Sequence, residues 1–245
     1  MNASGQYSRA PLIEAVLDIQ VSLAPDFPLD KLQNCQKRVK AEYPGRKETR
    51  LHHGHFEFAN QKSLTSTSTH PLGYQFVSAD KKQVFQAKLD GFAFNRLRPY
   101  NGWDEFFAEA RRLWEEYRRV TKPSRYNRVS LRYINRFDFP HANVKLETYF
   151  KTLPTIAPEL PQDLGAYFFQ AIIPLEENGT TVAITQTAVE PPAQGQVSVI
   201  FDLDLFCTEG IVGENDIWPI FGKLQKWKNK VFEACITEET RKLIS

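Results

Sequence analysis

RYNRVSLRYINRFDF, residues 125–139, alternates between two kinds of side chain for most of its length. Arg128, Ser130, Arg132, Ile134, Arg136 and Asp138 fall on one side, and Val129, Leu131, Tyr133, Asn135, Phe137 and Phe139 on the other. Successive Cβ atoms in a strand point to opposite sides of the sheet, so a period of two predicts a strand with one buried face. The other face of that strand carries a row of arginines. Asn135 is out of place on the apolar side, where a buried amide must find partners or sit at a bulge.

The same alternation appears near both ends of the chain. In PLIEAVLDIQVSL (residues 11–23), Ala15, Leu17, Ile19 and Val21 oppose Glu14, Asp18 and Gln20. In QVSVIFDLDLF (196–206), Val197, Val199, Phe201, Leu203 and Leu205 oppose Ser198, Ile200, Asp202 and Asp204. Residues 49–58, 73–79, 83–89, 92–98, 166–175 and 180–190 are further strand candidates. Asp90-Gly91 favours a tight type I′ hairpin, and NQKSLTSTSTHP (60–71), low in complexity, reads as a loop.

Two long helices punctuate the strands. In NGWDEFFAEARRLWEEYRRV (101–120), Trp103, Phe106, Phe107, Ala110, Leu113, Trp114 and Tyr117 form one stripe, with acidic residues early and arginines late, as the helix dipole favours. In residues 216–236, Ile217, Ile220, Phe221, Leu224, Trp227 and Val231 do the same. Shorter helices are expected at 29–43 and 143–153. The order predicts an α+β fold: a tandem duplication of β-α-β(3-4)-α halves, residues 1–125 and 126–245, in one compact unit. The halves would form a mostly antiparallel sheet with the long helices packed on one face.

The chain of 245 residues is long enough to bury a real core, and its 42% apolar and 24% charged content is ordinary. Cys35, Cys207 and Cys235 have no CxxC spacing, so neither a disulfide framework nor a thiolate zinc site is indicated. With no apolar leader and no membrane-length apolar run, the expectation is a cytoplasmic protein with no membrane partner. Net charge is only +2, but residues 91–136 hold 11 Lys or Arg against 5 Asp or Glu. Any electrostatic footprint is local.

Three sets of residues are candidates for chemistry. Arg128, Arg132 and Arg136, with Asp202, Asp204, Glu14 and Asp18, would interleave if their strands share a sheet side. Such a face is either a field of cross-strand ion pairs or a ligand site, with Asp202 and Asp204 on a divalent metal and the arginines on phosphate oxygens. Arg96, Arg98, Arg125 and Tyr126, with Tyr100 and Tyr133 among them, suggest nucleic-acid binding, the rings stacking on bases. His53 and His55 share a strand side and could hold a metal, although no third ligand is identifiable. Strings for nucleophilic, phosphate-loop or dinucleotide chemistry are missing, so an enzyme is the less favoured reading.

PLIEAVLDIQV, FAFNRLRPYNGWDEF, VSLRYINRFDFP, FDLDLF and KNKVFEACITEETRKL together resemble a sporadically distributed family of bacterial proteins of about 250 residues. The resemblance runs from about residue 7 to the end and implies a bacterial protein without a transferable activity. Its patchy distribution is like that of mobile defence or toxin–antitoxin modules. The expectation is a module that recognises a protein partner through an open sheet face, with no cofactor. Nucleic-acid binding and metal-dependent phosphoryl or phosphodiester chemistry are the alternatives. Trp103, Trp114, Trp218 and Trp227 supply more aromatic surface than two helices need, which suggests a homodimer.

Overall fold

The structure is a computed structural model that describes residues 7–59, 62–140, 144–162, 166–175 and 179–245; within 50–70 it describes the backbone alone. Nine strands are present among these residues: β1 (Leu12–Ser22), β2 (Gly45–Ala59), β3 (Lys62–Val77), β4 (Gln83–Lys88), β5 (Gly91–Leu97), β6 (Arg125–Phe139), β7 (Phe168–Pro174), β8 (Thr180–Val189) and β9 (Val197–Cys207). The helices are α1 (Trp103–Thr121), α2 (Glu214–Cys235) and α3 (Glu238–Ile244). Short 3₁₀ helices cover Leu29–Gln36 and Leu146–Thr148. The chain is thus a mixed α/β fold on one antiparallel sheet, in the order β2-β3-β4-β5-β1-β6-β9-β8-β7. No helix among the described residues is long and apolar enough to cross a membrane.

β1 and β6 pair at the middle of this sheet, and their register sets the two rows that the alternation predicts. Leu17 lies opposite Leu131 on one side and Phe94 on the other, and Leu131 in turn lies opposite Leu205. Ile19, Phe92 and Val129 form the next rung, and all seven side chains are buried. Helix rings close over these rungs: Trp114 of α1 meets Phe92, Phe106 meets Phe94, and Phe232 of α2 meets Phe201. Asn135 satisfies both conditions set for it. It lies opposite Leu12 where the β1–β6 register shifts, and its amide donates to the Phe201 carbonyl at 3.1 Å.

Four local expectations are corrected. Residues 62–71 are not a loop but the first part of β3, pairing with β2 from Ala59↔Lys62 onwards. Their alternating Ser and Thr suit a pleated backbone, which low complexity concealed. At 29–43 and 143–153 the helices shrink to 3₁₀ turns. The β4–β5 hairpin closes with Lys88 opposite Gly91, so its loop is Leu89-Asp90, neither at positive φ, and not a type I′ Asp90-Gly91 turn. The Val21 N–H donates to the Asp90 carbonyl, which draws this turn onto the neighbouring strand.

The tryptophans are also used internally. Trp114 is fully buried and donates to Glu214, while Trp103 and Trp218 pack on Phe107 where α1 meets α2. Trp227 is half-buried beneath the Lys230 ammonium. Trp103, Trp218 and Trp227 each keep part of their surface outside these contacts.

Candidate functional site

The register brings the predicted Arg/Asp set together. Arg132 lies opposite Asp204 and Ile134 opposite Asp202, so the arginines of β6 and carboxylates of β9 share one side of the sheet with Glu14 and Asp18 of β1. Their pairing is diagonal. Arg132 holds Asp202 in a fork, with Nε 3.0 Å from each carboxylate oxygen and Nη2 also bound. Asp202 is only 6% exposed, and without its arginine that buried carboxylate would carry a desolvation cost of ~1–3 kcal/mol. The hydrogen bond to Asp202 in turn raises the Arg132 guanidinium's affinity for its proton.

Arg128 reaches Asp204 at 2.8 Å and stands 4.0 Å from Asp18, its guanidinium stacked 4.5 Å over the Phe206 ring. Asp18 also takes the Lys88 ammonium at 3.0 Å. Arg136 binds Asp138 at 2.8 Å, and Ser198 donates to the same carboxylate. On the β1 side, Glu14 accepts from Asn95, whose carbonyl oxygen accepts from Gln86. Every member of the predicted set therefore has a partner in the protein. What remains unmet are single carboxylate oxygens, Oδ1 of Asp18 and Oδ1 of Asp204. Burial pushes the Asp204 carboxyl above its ordinary range despite Arg128 and Arg132.

This arrangement bears on the two readings of the face. Asp202 and Asp204 each spend an oxygen or more on arginine, and no group of three or more His, Cys, Asp or Glu side chains among the described residues could hold a metal ion. His53 and His55 lie on β2, but their side chains fall outside the described residues. The interleaved charges form internal ion pairs, each worth ~0–1 kcal/mol where exposed.

The residues suggested for nucleic acid do not gather. Arg96 is 8% exposed on the apolar side of β5, with Nε donating to the Pro99 carbonyl. Arg98 donates to the backbone carbonyls of Pro11 and Leu12. Arg125 is exposed opposite Ser22, ~23 Å along β1 from Ala15, which lies opposite Arg96, at a rise of about 3.3 Å per residue. Tyr126 leans on Trp114, Tyr133 is buried, and Tyr100 shares a hydrogen bond with Tyr133, so these rings are not a stacking platform on an open face. The thiols are buried, and burial pushes Cys35 up to about 12 and raises Cys235, keeping both protonated.

Sequence reasoning passed over the edge strand β7. It pairs only with β8 among the described residues, and FFQAIIP contains no charge. Phe168 lies opposite Thr187 and Ile172 opposite Ala183, and these partners continue to Ile200 and Asp204 on β9. Phe168 and Ile172 thus stand on the same side as Arg132 and Arg136, 70% and 63% exposed. A run of apolar residues without a charge was the only available signal, and it is equally that of a buried strand. Compared with protein-family models, with curated proteins and with solved structures, the chain finds no match.

Proposed function

We propose that the chain is a binding module which recognises a protein partner through the β6–β9–β8–β7 side of its sheet. The observation that carries this reading is the exposed pair Phe168 and Ile172 beside a field of charges already paired with one another. Apolar side chains anchor contacts with protein, while pre-paired arginines leave little free charge for a polyanion. The half-exposed Arg132 supplies a rim group that can fix orientation.

The same reading takes the scaffold as two α+β repeats with helices over one face. In its support, the strands run β1, β5, β4, β3, β2 outwards from the centre in one half and β6, β9, β8, β7 in the other. In both halves the strand preceding the long helix neighbours the first strand of that half. The resemblance to a family of bacterial proteins makes a bacterial extract the natural source of the partner.

The test is capture from such an extract on immobilised protein, with and without nuclease. Wild type should retain a protein that the Phe168→Ser/Ile172→Ser variant loses by at least about tenfold, at an unchanged melting temperature. Equal retention by both forms would sink the reading, and material released by nuclease would turn it towards nucleic acid.

A further inference from the structure

β7 stands at the end of the sheet, and two hydrogen bonds flanking it fix which way its backbone points. The Leu175 N–H donates to the Thr180 carbonyl at 2.8 Å, and the Ala188 N–H donates to the Tyr167 carbonyl at 3.2 Å. In an antiparallel ladder, residues bonded to a neighbouring strand alternate with residues whose N–H and C=O face away from it. Between those two pairs the register runs without a shift, so Phe169, Ala171 and Ile173 are the residues bonded to β8. Phe168, Gln170 and Ile172 therefore turn their backbone groups outwards, and their side chains are exposed as well.

Native sheet edges are blunted by charge, proline or a covering element. The opposite edge strand, β2, carries Arg46, Lys47 and Glu48 near its start. β7 holds no charge, and its one proline, Pro174, comes after the outward run. Pro174 also faces outwards, so its missing N–H takes nothing from the pairing with β8.

We propose that β7 is a strand-addition edge whose occupant is β7 of a second copy of this chain, paired antiparallel about a twofold axis at Gln170. In a twofold contact residue i meets j and j meets i. Only with Gln170 opposite Gln170 do all three outward residues of both copies meet one another, Phe168 facing Ile172 on each side of the axis. A shift to the next such register sets Ile172 against Ala166, ahead of the strand, or Phe168 against Pro174, which has no N–H. The matching register makes two aromatic–β-branched cross-strand pairs, and no charge meets its own copy. Its axis is perpendicular to the sheet, so the arginine side of both copies faces the same way. That broad side stays open, and a dimer doubles it.

The experiment is sedimentation of the purified chain alone over about 1 to 100 μM, because a dimer's population depends on protomer concentration. Wild type should reach twice the mass of one chain within that range, and the Phe168, Gln170 and Ile172 amides should exchange more slowly at its upper end. Gln170→Lys and Gln170→Glu each set like charges against each other on the axis. Each alone should associate at least about fivefold more weakly than wild type, and an equimolar mixture of the two should recover association. A wild type that stays monomeric at ~100 μM would overturn the proposal and leave the edge to a strand from another protein. So would a dimer that either charged variant forms as readily as wild type, or a mixture that associates no better than its components.

Discussion

Asp204 differs from Asp138 on its own face and from Glu109 on α1. Glu109 and Asp138 are also partly buried, yet hydrogen bonds from Arg112 and Tyr43 to the first, and from Ser198 and Arg136 to the second, more than offset burial and hold both below the ordinary range. Asp204 has a single hydrogen bond to Arg128 and one unmet oxygen, so burial wins and its proton is held more tightly in the folded chain. The unfolded carboxyl titrates near about 3.9. A folded value above that means that the folded state binds more protons. Its stabilising contribution is then complete below the unfolded value and is lost as pH rises through the folded one. Asp204→Asn stays neutral throughout, so its melting temperature relative to wild type should climb as pH is raised from ~4 towards 7. A difference that is flat or falling over that range would show that Arg128 outweighs burial. The alternation marked Asp204 as a residue of the polar side, but which arginine it met depended on a diagonal across two strands.

Among elements, the β4–β5 hairpin and α2 make opposite uses of glycine. Gly91 opens β5 against β1, and a Cβ there would stand 2.3 Å from the Ile19 carbonyl oxygen, inside the backbone of a central strand paired on both edges. Gly91→Ala should lower the unfolding free energy by ~2 kcal/mol or more, read as a drop in the urea midpoint, because β1 cannot move without disturbing its pairing with β6. Gly222 sits inside α2 with nothing within 4 Å of a Cβ. Gly222→Ala should therefore raise stability by ~0.5–1 kcal/mol through helix propensity, and a loss would mean that α2 needs that glycine for packing. Long elements with strong alternation or a wide apolar stripe were legible, and β1, β6, β9, α1 and α2 lie close to their expected bounds. The first part of β3 was not, because its Ser and Thr residues carry no apolar period, and its backbone is organised by pairing with β2.

At the scale of the whole molecule, the two halves meet along β1 and β6, and α1 meets α2 through Phe107 and Trp218. Parting the chain between α1 and β6 would strip β1 of its central partner and uncover a long apolar edge. Residues 1–123 and 124–245, expressed separately, should be insoluble or give poorly dispersed amide spectra, and should recover native dispersion only when produced together. A well-dispersed spectrum from either piece alone would make the halves independent domains. The outer edge β7, by contrast, keeps Phe168, Ile172 and Ile173 exposed in the complete protein.

Period two and helical stripes are local properties, so the sequence by itself determined the mixed helix-and-strand composition, the buried rows and the polar row of arginines and carboxylates. Which strands became neighbours was beyond its reach, because pairing is decided by contacts between residues far apart in the chain. Tertiary structure alone placed Arg132 on Asp202 and Arg128 on Asp204, and separated Arg96 and Arg98 from Arg125. The physical reason is that a charge's role depends on the groups within a few ångströms of it, and only the folded sheet chooses those groups.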